Sequence, residues 1–183
     1  MNKLGRIRAI KDRDIPNDIF NTPLAVVQKM ILMADITETD MVLDPCKGEG
    51  IIFNNLPPCI KNWCEILEGR DFFDYDEQVD VIVANPPFSL LTRWLQKSIV
   101  LNPKIIVLVM GLLNLTVKRL HLLEEHGYYL KKMEMVNIRG WFGTSIIVLF
   151  EKGGESIIEY NTEWYGTKKG NVKNSEGVQT PKI

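Results

Sequence analysis

Cysteine and histidine are scarce. Cys46, Cys59 and Cys64 are odd in number and lack C-x-x-C spacing, and His121 and His126 are the two histidines of the chain. A structural zinc site needs several such ligands at close spacing, so no metal is expected. A disulfide framework is not expected either, and a reducing interior fits. Apolar runs are short: none reaches the about 20 residues that span a bilayer. The amino terminus lacks the apolar core of a signal peptide, so the expectation is a cytoplasmic protein with no membrane partner. An excess of one charge is also missing. Lys and Arg total 22, Asp and Glu 23, and the net charge is −1. No global basic field marks a nucleic-acid binder. Lys3, Arg6, Arg8, Lys11 and Arg13, diluted by Asp12 and Asp14, read as a basic arm over 1–20 or as a solvated terminus. Finally, no G-x-G-x-x-G is present, which argues against a nicotinamide oxidoreductase.

What is there is ordinary globular material. The chain has 183 residues, 45% hydrophobic and 25% charged, which suits one domain with its own core. Residues 1–160 read as that domain and 161–183 as a polar tail with little to bury. Helical spacing runs over 21–36, with Thr22 as a cap and Pro23 at the favoured first position. Strand candidates follow at 41–45, 62–66, 79–84 and 104–110, with helices at 51–56, 89–101 and 114–127 between or after them. Gly127 is the expected stop of the last helix. The segments 128–138 and 144–152 read as two strands joined by "RGWFG", a terminal antiparallel hairpin. Alternation of strand and helix predicts an α/β, doubly wound, mostly parallel sheet. Twelve residues, 67–78, separate the second and third strand candidates. That is too few for a helix and a full strand, so one sheet edge should be reduced.

In such sheets ligands bind beyond the carboxyl ends of the strands, at the switch point. Asp44, Glu65, Asp71 and Asn85 all fall at or just after expected strand ends. In "LDPCKGEG", Gly48 and Gly50 let the backbone turn tightly after Asp44 and Pro45. A carboxylate there suits a ligand with a cationic amino group; a plain tight turn explains the glycines equally. Glu65 can accept two ribose hydroxyls or be an exposed acid at a strand end. Asp71 and Phe72 offer an acceptor and a ring for an adenine, or a solvated acid and a core aromatic.

"ANPPF" carries the most chemistry. An exocyclic amine on a nucleobase is a poor nucleophile, because its lone pair is delocalised into the ring. Two acceptors on its two N–H bonds favour the tetrahedral geometry that attack on a methyl group requires. The Asn85 side-chain oxygen and the Pro86 carbonyl can be those acceptors, Pro86 and Pro87 stiffen the backbone, and Phe88 can stack on the base. A proline turn with a core Phe is the alternative.

These motifs resemble those of the S-adenosylmethionine-dependent N6-adenine DNA methyltransferases over roughly residues 20–151. "NPPF" is similar to the family's catalytic motif, "DPCKGEG" to its cofactor motif, and "NTP" at 21–23 to the segment that contacts the methionine carboxylate. The resemblance implies a class I, Rossmann-like methyltransferase fold and S-adenosylmethionine as cofactor. It implies Thr22 and Pro23 at the carboxylate, and Asp44 at the amino group within the loop of Pro45, Cys46, Gly48 and Gly50. Glu65 would take the ribose, and Asp71 with Phe72 the adenine. The implied substrate is adenine in double- or single-stranded DNA, flipped from its stack. Trp141 or Phe142 is the candidate for the base's second face. No segment after NPPF is large enough to be a separate target-recognition domain, so the expectation is that specificity comes from loops, the amino-terminal arm, the tail, a specificity subunit or a second copy, or is low. Adenine in RNA and a glutamine amide are the rival substrates, and a silent cofactor-binding subunit is the non-enzymatic rival.

Overall fold

The computed structural model of the chain describes residues 21–141 and 143–158. The arm over 1–20, Phe142 and the tail over 161–183 lie outside the described residues.

Helix α1 covers Leu24–Ala34. Its N-cap is Pro23, whose carbonyl accepts from the amides of Val26 and Val27 at 2.9 and 3.1 Å. The expected Thr22 cap is therefore displaced by one residue. Thr22 is buried and no side chain caps the helix. A proline suits this position, because it has no N–H to satisfy while its carbonyl starts the ladder.

Strand β1, Met41–Asp44, leads through the glycine turn into α2, Ile51–Asn55, which stops before Pro57-Pro58. Strand β2 is Ile60–Trp63, two residues earlier than the spacing suggests. The chain leaves the ladder after Cys64, whose amide donates to the Asp44 carbonyl at 2.9 Å. Two 3-10 turns, Ile66–Glu68 and Phe72–Asp74, then fill the short stretch before β3, Val81–Ala84. The reduced edge is thus real: β2 is an outer strand.

After β3 come a 3-10 turn at Phe88–Leu90, helix α3 at Leu91–Val100 and strand β4 at Ile105–Gly111. Helix α4 is Val117–Glu124, shorter than expected because Leu112–Asn114 form a 3-10 turn and Thr116 caps it, accepting from the Arg119 amide at 3.4 Å. Strands β5, Tyr128–Val136, and β6, Ser145–Lys152, are the antiparallel hairpin.

Among the described residues the strands form one six-stranded sheet in the order β2-β1-β3-β4-β6-β5. Pairings from β2 to β4 are parallel, and β6 pairs antiparallel with both neighbours. Alternate strand residues feed two cores. Val81, Val83, Val107 and Val109 pack with Val27 and Met30 of α1 and with Ile52 of α2. Ile82, Ala84, Ile106 and Leu108 pack with Trp94 and Leu95 of α3 and Leu123 of α4. Each fully buried aliphatic side chain contributes about 1.5–3 kcal/mol. This two-sided burial makes β3 and β4 continuous apolar runs. At the amino ends of the strands Lys104 bridges Asp40 and Asp80 at 3.0 and 3.1 Å. The opposite, carboxyl edge carries the site.

Candidate active site

Strands β1 and β3 lie side by side in parallel, with β2 on one flank and β4 on the other. The chain order reverses between them. Their carboxyl ends, Asp44 and Ala84–Asn85, therefore face the same edge of the sheet, where ligands bind in folds of this type.

Asp44 is fully buried. Its Oδ1 accepts from the Cys46 amide at 3.3 Å and its Oδ2 from the Phe53 amide at 3.2 Å. Burial pushes its carboxyl up to about 7, the two amides pull it partly back, and nearby Glu65 pushes it further up. Burying a carboxylate without a closely paired cation is costly, so the protonated form is favoured relative to an exposed acid, and a positive group would favour its ionisation. Lys47 lowers the pKa of Asp44 but has an ion pair of its own, with Glu68 at 2.6 Å.

The glycine turn is fixed from three sides. Gly50, at φ +86°, caps α2 in a conformation L side chains rarely adopt, and a Cβ there would lie 3.0 Å from Asn54 Nδ2. The Gly48 amide donates to Glu65 Oε2 at 2.8 Å, while Glu65 Oε1 takes the Leu67 amide at 3.0 Å. From upstream, Asn21 Nδ2 donates to Glu49 Oε2 at 3.4 Å, which sets the Thr22-Pro23 segment beside this turn. Thus Thr22, Pro23, Asp44, Gly48 and Glu65, distant in sequence, come together.

Asp71 Oδ1 accepts from the Phe73 amide at 2.9 Å and starts the 3-10 turn after β2. The Phe72 ring points elsewhere. It is 5% exposed and packs on Trp94 with centroids 5.2 Å apart. Little of it is left for a ligand.

Asn85 is half-buried and Pro86 buried directly after β3. Pro87 starts the 3-10 turn, its carbonyl accepting from Leu90 at 3.1 Å. The Phe88 and Trp141 rings meet edge-on, 6.2 Å between centroids at 71°. The loop between β5 and β6 therefore reaches the loop after β3, although 53 positions (88 to 141) part them in sequence.

Three features escaped the sequence reading. Trp94 Nε1 donates to Cys46 Sγ at 3.2 Å and ties α3 to the glycine turn; helical spacing marks Trp94 as apolar without indicating this partner. Trp63 carries Lys47 at 3.8 Å and Arg70 at 4.1 Å over its ring. Arg119 bridges α3 and the turn after β4. Neither of the last two has a local motif. Among the described residues no cluster of His, Cys, Asp and Glu suits a metal, and no helix is long and apolar enough to cross a membrane.

No family model matches the sequence, and no curated protein matches it. Solved structures do match. A Pyrococcus horikoshii protein proposed to be an RNA methyltransferase superposes with a TM-score of 0.62 at 17% identity, over 84% of this chain and 98% of its own. This is a methyltransferase fold. Magnesium protoporphyrin IX methyltransferase from Synechocystis PCC 6803, solved with bound S-adenosylmethionine, gives 0.55 at 11% identity over 84% and 98%. The E. cuniculi Mtq2–Trm112 complex, which methylates the eRF1 termination factor, gives 0.52 at 19% identity over 75% and 99%. At such identities the likeness is one of fold: the class I, Rossmann-like sheet expected from the strand and helix order.

Proposed function

We propose that the protein transfers a methyl group from S-adenosylmethionine to the N6 amino group of adenine in DNA. The observation that carries this reading is the juxtaposition at the switch point: a buried acid ending β1 beside Asn85-Pro86-Pro87-Phe88 leaving β3.

The residues present suit the cofactor. Buried Asp44, with its raised pKa, is matched by a ligand ammonium. Glu65 would accept the ribose hydroxyls, Thr22 and Pro23 would flank the carboxylate, and the backbone of Pro45, Cys46, Gly48 and Gly50 would line the turn. Asp71 would take the adenine's amino group, with Phe72 contributing little beyond its position in the core beneath. When bound, S-adenosylmethionine would supply an electrophilic methyl group on a sulfonium, the S–CH3 bond breaking as the N–CH3 bond forms, with S-adenosylhomocysteine as the neutral leaving group and the extra amine proton lost to solvent.

The rest of the work falls to the chain. Asn85 Oδ1 and the Pro86 carbonyl accept the two N–H bonds of the target amine, drawing the nitrogen lone pair out of conjugation as charge develops. Pro87 keeps that backbone stiff. Phe88 stacks on the base, and Trp141, in contact with Phe88, is the described candidate for holding its other side. Phe142 lies outside the described residues.

A second reading keeps the same chemistry on another planar amine: adenine in RNA or a glutamine amide in a protein. It is favoured by the fold neighbours, one proposed to act on RNA and one on a termination factor. A silent binding subunit is disfavoured because both Asp44 and Asn85 are in place. Transfer of radiolabelled methyl to duplex DNA, single-stranded DNA, RNA and a glutamine peptide, with Asn85→Ala as blank, separates these readings. Label recovered as N6-methyladenine from DNA supports the proposal, and label in the peptide alone overturns it.

A further inference from the structure

Arg119 is a half-buried cation whose hydrogen-bond partners among the described residues are neutral. Its Nε donates to Thr92 Oγ1 at 3.1 Å, and its Nη1 to the Asn114 carbonyl at 2.7 Å and to Asn114 Oδ1 at 3.5 Å. These partners come from separate elements: Thr92 from the first turn of α3, Asn114 from the turn that follows β4. Both elements start at the carboxyl edge of the sheet, and Thr92 stands four positions beyond Phe88. Among the described residues no carboxylate pairs with the guanidinium, in contrast to Lys47 and Lys104, each of which has an acid within 3.1 Å. Burial pushes the Arg119 pKa down with no acid to restore it.

The surrounding sequence carries the same sign. From 81 to 123 there is no Asp or Glu, while Arg93, Lys97, Lys104, Lys118 and Arg119 all fall there. Lys104 belongs to the opposite edge, where it pairs with Asp40 and Asp80. The others sit on the helices that follow β3 and β4, and neither helix has an acid in its first turn. A chain of net charge −1 thus places four cations on the two helices that leave the carboxyl edge after β3 and β4, with Glu124 at the far end of α4 the one acid within them, and positive charge so grouped attracts a polyanion.

We propose that Arg119 binds a backbone phosphate of the nucleic acid beside the target nucleotide, with Thr92 and Asn114 as the residues that position its guanidinium. The contacts to Thr92 and Asn114 use Nε and Nη1, which leaves the N–H groups of Nη2 to donate to a phosphate oxygen in a charge-assisted hydrogen bond. Such a contact fixes register on the backbone and carries no sequence information. This inference rests on Asn85–Phe88 being the loop that receives an adenine.

The test is the salt dependence of binding. Labelled duplex DNA, single-stranded DNA and RNA, each containing adenine, are titrated by fluorescence anisotropy between 50 and 200 mM KCl with wild type, Arg119→Gln and Arg119→Lys. Losing one phosphate contact lowers the log–log salt slope by about 0.9, so over that range wild type should lose about 3.5-fold more affinity than Arg119→Gln. Arg119→Lys keeps the charge and should keep the slope at weaker affinity. A merely structural role would affect both variants alike and leave the slope unchanged. If wild type binds nucleic acid and Arg119→Gln retains its slope, the phosphate contact is overturned by itself. If wild type binds none of the three even at 50 mM salt, the nucleic-acid reading of the loop fails, and this contact with it.

Discussion

Replacing Asp44 by Asn should stabilise the protein at alkaline pH while destroying its affinity for the cofactor. The carboxyl is fully buried and its pKa is raised from 3.8 to about 7. A raised acid binds more protons in the folded than in the unfolded state between those values, so wild-type stability must fall as pH rises through the window and level off above it. A tenfold change in proton affinity between the two states corresponds to about 1.4 kcal/mol, which makes the whole loss about 4 kcal/mol. The Asn amide is close in shape to the protonated acid and never ionises, so the variant lacks this component. Urea unfolding of both proteins without cofactor, at half-unit steps from pH 5 to 8, measures it. From pH 5 upward the gap between the two should move in favour of the variant by about 1.4 kcal/mol per pH unit, and flatten near pH 7. Parallel stability curves would refute the claim that Asp44 is held without a compensating cation.

Cofactor affinity should follow the same group in the opposite sense. Below about 7, binding an ammonium must release the Asp44 proton, so affinity measured by calorimetry should rise by up to about tenfold per pH unit and then plateau. Trp141→Ala should lower kcat/KM for the nucleic acid by about one to two orders of magnitude, the scale of one base–aromatic stack, and leave cofactor affinity unchanged; equal steady-state kinetics would remove Trp141 from the target site. Gly50→Ala forces a side chain to φ +86° and should cost about 1–2 kcal/mol in urea unfolding.

Much of the frame was legible because burial leaves a pattern. The runs that became β3 and β4 are apolar on both faces, as strands covered from two sides must be. The short interval between 67 and 78 announced the reduced edge. Boundaries were less legible where side chains compete with the backbone ladder. Glu65 was expected at a strand end, yet its carboxylate takes the Gly48 and Leu67 amides and turns the chain away after Cys64. The start of α1 moved because the Pro23 carbonyl caps it and Thr22 is buried instead. Within the site, Asp44, Glu65 and Asn85 could be named from their places after strand candidates. Pairings across the fold could not. That Trp94 reaches Cys46, Trp141 meets Phe88 and Arg119 links Thr92 to Asn114 follows from how helices pack on the sheet, which no local spacing encodes.

Strand β6 runs against both of its neighbours. Helices α2 and α3 constrain the connections from β1 to β2 and from β3 to β4, but the β5–β6 hairpin is closed by a loop, residues 137–144. Because the strand direction reverses there, this loop is delivered to the carboxyl edge of the sheet, where Ile138 joins the core beside α1 and Trp141 meets Phe88. Residues could be inserted beside the exposed Gly143 and Thr144 without disturbing a strand partner. If the loop does hold the target as proposed, its tip is where added residues would change target preference on an unchanged sheet.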